Sequence, residues 1–156
     1  MRLDLIKRDL IALDWLVEDQ SDFFDRMVGV LMAGNYVRDT FREALGTRES
    51  TYPTALPTSP EAVAIPHSDA EHVITPFIAP VRLHTPVTWH EMGNDSVTHP
   101  VRFIFMLGFT DESGHVEVLQ ILLQNLQDPS FMERLDQART EDEYYDVLSA
   151  MSGLEA

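Results

Sequence analysis

The sequence contains no cysteine. No disulfide or thiolate metal site can form, and no step of its chemistry can use a thiol of its own. Basic residues are scarce: 11 Lys and Arg stand against 26 Asp and Glu, for a net charge of -15. Nucleic-acid phosphates would be repelled, and no basic cluster is present to hold them. A basic partner protein would instead be drawn in electrostatically. Long apolar runs are missing as well. None approaches the ~20 residues that a membrane-spanning helix needs. The opening "MRLDLIKRDLIALDW" mixes charges into its apolar residues, unlike a signal peptide. There is no internal repeat and no low-complexity tract. The expectation is a soluble, cytosolic, acidic protein forming one domain over residues 1–156, with 44% hydrophobic and 24% charged residues.

Periodicity orders what is present. Phe23, Phe24, Met27, Val28 and Leu31 share one helical face, which predicts a helix over Ser21–Asn35 with Ser21 or Asp22 as its cap. A second helix carries Val37, Phe41, Ala44 and Leu45 and is expected to stop at Gly46. The proline-rich, Ser/Thr-rich stretch from Thr47 to Ala62 predicts a surface loop. "AVAIP" predicts a short strand ending at Pro66. "FIAPVRLH" alternates like a half-buried strand, with Pro80 placing it at an edge or a bulge, and "VTW" suggests a separate short strand beside it. "VRFIFMLGF" is nearly all apolar, as in a central strand covered on both faces. Three helices close the chain. The first begins near Gly114 and turns Val116, Leu119, Leu122, Leu123 and Leu126 inward. The second follows Asp128–Pro129, and the third follows the capping box Thr140–Glu143. Helices, then strands, then helices predict a single α/β domain, a mixed sheet flanked by helices.

"EAVAIPHSDAEH" holds the main chemical candidate. Pro66 biases Ile65 toward an extended backbone, so His67 sits just past a strand tip. There, one ring nitrogen can be held by a backbone group while the other is presented outward, as a nucleophilic imidazole requires. Spacing alone leaves open an idle turn histidine. His115 stands in the first turn of an amphipathic helix, where free N–H groups and the dipole favour an anion. It too can be a mere helix-start residue. Arg48 is a candidate anion clamp in an otherwise acidic chain, unless Arg48 and Glu49 are solvated side chains at a helix end. Glu61 can accept a hydrogen bond from Arg48 or a ring nitrogen, or be a surface acid. A separate reading takes His67 and His72, with Asp69 and Glu71, as zinc-type ligands; the spacing differs from the helical His-Glu-x-x-His arrangement. His84, His90 and His99 are read as surface or loop residues without a role.

Taken together, "AGNYVRDTF", "RE" at Arg48–Glu49, "YPTALP", "AIPH" and "HVEVLQIL" resemble an enzyme IIA of the bacterial phosphoenolpyruvate-dependent sugar phosphotransferase system. The superfamily is the fructose/mannitol/nitrogen-regulatory one, and the likeness covers nearly the whole chain. The resemblance implies the mannitol-type enzyme IIA fold and a phosphoryl-transfer role without a cofactor. His67 matches the phosphorylated histidine, charged by the phosphocarrier protein HPr and discharged to a cysteine of enzyme IIB, which serves a membrane enzyme IIC. His115 matches the second histidine that supports the phosphate, and Arg48 the nearby arginine. Glu61 stands where some mannitol-type members also have a glutamate. Ser68, where many members carry glycine or threonine, can offer a hydroxyl to the phosphate. Ala55 replaces a common glycine, which would alter the loop if that glycine has positive φ. Motif spacing leans toward galactitol-type members, with a regulatory enzyme IIA acting through protein partners as the alternative.

Overall fold

The computed structural model describes residues 1–111 and 113–155. Two long strands organise it. β4 (Phe77–Glu91) and β5 (Asn94–Gly108) pair antiparallel across a tight turn at Met92–Gly93. Gly93 has φ +79, the left-handed conformation that such a turn requires. "FIAPVRLH" and "VTW" are thus one strand, not two. The register slips between Arg82 and Val87, so residues 83–86 fall outside the β4–β5 pairing without ending the strand.

Three short strands complete a mixed sheet of five strands among the described residues. β1 (Ala12–Trp15) runs parallel to β4, and β3 (Ala62–Ala64) runs parallel to β5. β2 (Ala55–Leu56) pairs antiparallel with β3 and meets β4 at Glu91. β4 is therefore an interior strand, and Pro80 does not mark an edge. Ile78 O accepts the Lys7 N–H on the side facing the N-terminal segment. By strand alternation, the N–H that Pro80 lacks would point the same way. It falls between the isolated Ile6–Ile78 bridge and the β1 ladder that begins at Ala12–Val81, so no ladder bond is lost there.

β5 divides the core. Ile104 and Met106 face one apolar cluster, together with Phe23, Phe24 and Met27 of α1 (Gln20–Ala33), Phe41 and Leu45 of α2 (Phe41–Thr51), and Trp89. Phe103, Phe105 and Leu107 face a second cluster, together with Leu122 and Leu126 of α3 (Ser113–Leu126), Phe131 and Leu135 of α4 (Pro129–Gln137), and Tyr144 of α5 (Glu141–Ser149). Cover on both faces explains the unbroken apolar run of this strand.

Several boundaries differ from expectation. α1 is capped by Asp19, which accepts the Asp22 N–H at 2.8 Å, rather than by Ser21 or Asp22. α2 runs through Gly46 to Thr51 because its buried stripe of Phe41, Leu45 and Glu49 continues past the glycine, whose intrinsic cost is only about 1 kcal/mol. The stretch from Thr47 to Ala62 is consequently the end of a helix plus β2, not only a loop. Val116 is exposed rather than inward. Asp128 and Thr140 cap α4 and α5 as expected. In the second case Glu143 takes the Arg139 N–H at 2.7 Å instead of that of Thr140. Buried Arg82 of β4 fastens the last layer: its Nη1 donates to the carbonyls of Leu135 at 2.9 Å and Ala138 at 2.6 Å, closing the α4 C-terminus. Its Nε and Nη2 donate to Asp14.

Candidate functional site

His67 is stitched to the sheet by its own backbone. The Ile65 N–H donates to Thr54 O at 3.3 Å, and the Leu107 N–H to Pro66 O at 3.0 Å. His67 itself bridges in parallel to Leu107. The ring nitrogen Nδ1 lies 2.9 Å from Ile65 O. A carbonyl only accepts, so Nδ1 carries the proton and Nε2 keeps its lone pair. The residue is 6% exposed. Burial pushes its pKa down to about 4, and the nearby Arg48 and His115 act in the same direction, against the Ile65 hydrogen bond and Asp69. The ring is therefore neutral at pH 7, the form a nucleophile needs.

His115 approaches from the start of α3. Its ring stacks on Phe109, with centroids 4.5 Å apart and planes at 24°. It meets the His67 ring edge-on at 5.1 Å. Phe109 also contacts His67 edge-on at 6.1 Å, so one apolar ring sets the spacing of both imidazoles. The start of α3 already holds a carboxylate: Asp111 Oδ1 accepts the Gly114 N–H at 3.0 Å. Arg48 enters from the last turn of α2. Its Nη1 donates to Asp69 Oδ1 at 3.3 Å, and its Nε is buried with no hydrogen-bond partner among the described residues. Arg48, Asp69, Phe109, Asp111 and both histidines line one small cavity of about 90 Å³.

Arg48, His67, Ser68 and His115 thus come together. Ser68 Oγ donates to Asp69 O at 3.0 Å, so its hydroxyl serves the turn. Glu61 is not brought in. It lines a different cavity, beside His99 and Pro100. Its carboxylate accepts from Arg102 Nε at 2.9 Å and also pairs with Arg102 Nη2. Arg102 in turn reaches Asp136 at 2.9 Å. His72 turns toward α2, with Nδ1 2.8 Å from Thr40 Oγ1. No group of three His, Cys, Asp or Glu among the described residues is placed to hold a metal. Ala55 lies in β2, and among the described residues the non-glycine ones with positive φ are Asp14 and Asn35, so the alanine fits its backbone without strain.

Two participants escape a reading by motif. Phe109 ends the apolar run of β5, and nothing in its sequence context points to a histidine contact. Glu49 is not solvated: it is 5% exposed, and its Oε1 accepts from Thr54 Oγ1 at 2.5 Å and Trp89 Nε1 at 2.9 Å. Burial raises its pKa to about 7. The signal was present, because Phe41, Leu45 and Glu49 recur every fourth residue on the buried face of α2. Through Thr54, which also accepts the Ile65 N–H, Glu49 ties the end of α2 to the strand exit that carries His67.

The architecture resembles that of the mannitol-specific cryptic phosphotransferase enzyme IIA CmtB from Escherichia coli. The TM-score is 0.75 at 24% identity, over 96% of this chain and 99% of that one. This likeness bears out the mannitol-type fold. Among curated relatives, the PTS system galactitol-specific EIIA component of Escherichia coli (strain K12) is 27% identical over 117 residues, 75% of this chain and 77% of that protein. The PTS system fructose-specific EIIABC component of Bacillus subtilis (strain 168) is 27% identical over 150 residues, 94% of this chain. The chain spans 22% of the length of that protein. Residues 4–151 match the family described as phosphoenolpyruvate-dependent sugar phosphotransferase system, EIIA 2, and the chain belongs to that family of phosphotransferase components.

Proposed function

We propose that His67 accepts a phosphoryl group from the phosphohistidine of HPr and passes it to a cysteine of an enzyme IIB. The observation that carries this reading is the His67 ring: Nδ1–H held by Ile65 O, a neutral Nε2 in a small cavity, and Arg48 and His115 beside it. In the transfer the Nε2 lone pair attacks phosphorus. The N–P bond of the carrier breaks, and the carrier ring leaves with that electron pair. The proton stays on Nδ1 throughout, donated in a hydrogen bond to the Ile65 carbonyl. Such a reaction asks the protein mainly for alignment and compensation of charge. The cavity supplies the first by its narrowness and the second by Arg48, with His115 as a donor to phosphate. The thiol acceptor lies outside these 156 residues, which contain no cysteine. A membrane enzyme IIC then stands downstream of enzyme IIB. The working place is the cytoplasm, where carrier and acceptor meet. The galactitol-specific relative supports a polyol, galactitol first, as the carbohydrate.

The test is to incubate the chain with phosphoenolpyruvate, enzyme I and HPr and to weigh it. One acid-labile phosphate is expected, absent in His67→Ala. An unmodified wild type under conditions that charge HPr would sink the proposal. Phosphate uptake without onward transfer to any enzyme IIB would move the protein to the regulatory reading. His115→Ala is expected to slow transfer about tenfold or more with little loss of stability; an unchanged rate would remove His115 from the mechanism.

A further inference from the structure

Arg48 is the one arginine or lysine lining the His67 cavity among the described residues, and it is already engaged. Its Nη1 meets the Asp69 carboxylate at 3.3 Å, while its buried Nε has no hydrogen-bond partner among the described residues. Asp69 is aimed by its backbone. Its carbonyl accepts from Ser68 Oγ at 3.0 Å and from the His72 N–H at 3.3 Å, which fixes the turn from which the side chain projects. The Asp69 side chain is 66% exposed. Asp69 and Arg48 also form the wall shared with a neighbouring groove of about 520 Å³ that includes Tyr52 and His72. A doubly negative phosphoryl group on His67 Nε2 would enter a cavity whose cation is held by this anion.

We propose that Asp69 is the displaceable counter-ion of Arg48. When His67 is phosphorylated, Arg48 exchanges the Asp69 carboxylate for phosphate oxygens, and the freed carboxylate swings toward the groove. The proposal rests on the reading of His67 as phospho-acceptor. No proton moves in the exchange, and one N–P bond breaks as another forms. An exposed ion pair is weak because water already solvates its acid, so the exchange meets little resistance. The displaced Asp69 stays close to the phosphate and repels it. That repulsion keeps the phosphohistidine a good donor instead of letting Arg48 trap it. Among the described residues, the other charged or titratable groups facing Arg48 and the phosphate are His115 and Asp111 from the α3 side, with Asp111 accepting the Gly114 N–H. His72, Glu43 and Tyr52 face Arg48 from the groove, the Tyr52 ring centroid lying 5.7 Å from the guanidinium carbon.

Asp69→Asn keeps the shape and removes the charge. With HPr charged to a known level, the equilibrium fraction of phosphorylated Asp69→Asn is expected to rise about five- to tenfold over wild type, expressed as an equilibrium constant. Transfer onward should slow in proportion. The difference should shrink as salt is raised from about 50 mM to 500 mM. In an Arg48→Ala background the same substitution should have a smaller effect, because no cation is left to compete for; a residue of purely structural importance would show no such coupling. Circular dichroism and Asp69→Glu, which restores the charge, separate loss of fold from loss of the counter-ion. Equal constants within twofold for wild type and Asp69→Asn, with wild type carrying one phosphate on His67, would overturn the proposal while leaving the phospho-acceptor reading intact. A wild type that takes up no phosphate overturns both.

Discussion

Two buried titratable side chains, His67 and Glu49, pull the stability of this protein in opposite directions. His67 binds its proton more weakly when folded, at about 4 against an ordinary 6.5. Between those values the unfolded chain holds more protons, so stability rises with pH. Its contribution is complete above about 6.5 and lost as the pH falls toward 4. Glu49 binds its proton more tightly when folded, at about 7 against 4.5. Its contribution is present at low pH and is lost as the pH rises from 4.5 through 7. The two offset each other between 4.5 and 6.5, and above that window Glu49 acts alone. Urea unfolding across this range is expected to show that Glu49→Gln abolishes the decline near neutrality and leaves the acid loss. His67→Gln should do the reverse, each contribution being at most about 3 kcal/mol. Profiles parallel to wild type would contradict the burial of these groups. The pair also marks how far residue types alone can lead. "AIPH" pointed to His67 because proline constrains the backbone locally. Nothing local told Glu49 from a surface acid, since its partners Thr54 and Trp89 come from β2's approach and β4. Glu61 went the other way for the same reason, claimed by Arg102 from a strand distant in sequence.

Elements with a local cause were readable in advance. Asp128–Pro129 and Thr140 start α4 and α5 through their own side chains. β5 was visible because a strand covered on both faces has no polar side to show. β1 and β2 were not foreseen: they are four and two residues long, and they exist because β4 and β3 offer edges to pair with. The C-terminus of α2 was likewise set by burial of its stripe, overriding the glycine. Arg82 is the clearest case of an element finished by another. Arg82→Met is expected to cost about 2–4 kcal/mol in chemical denaturation, by orphaning the carbonyls of Leu135 and Ala138 and the Asp14 carboxylate. Charging of His67 should survive below the new midpoint. Just past the end of β5, Phe109→Ala removes the stacking partner of His115. It should slow phosphoryl transfer about tenfold, more than a cavity elsewhere in the second core cluster would. Equal slowing by Leu122→Ala would show that general softening, not the ring stack, is responsible.

At the scale of the whole molecule, a net charge of -15 would make the proposed encounter with HPr electrostatic. The second-order rate of charging by HPr is expected to fall several-fold between about 50 mM and 500 mM salt if the meeting face of the carrier is basic, with the first-order transfer step unchanged. A salt-independent rate would mean that the acidic surface serves solubility alone. The acids are broadly spread, and their number could be read without a structure; that Arg48 and the two histidines converge could not, because the convergence belongs to the tertiary fold.

That convergence has a consequence for quality control. Arg48 comes from the end of α2, His67 from the exit of β3 and His115 from the start of α3, three places that meet only when both core layers are in place. A chain with either layer undone has a histidine but no pocket to align it. Under the proposed chemistry, phosphate on this protein would therefore be a certificate of folding. The fraction of a population that can be charged should equal the fraction that is native, and a damaged molecule would drop out of the relay without any separate means of rejecting it.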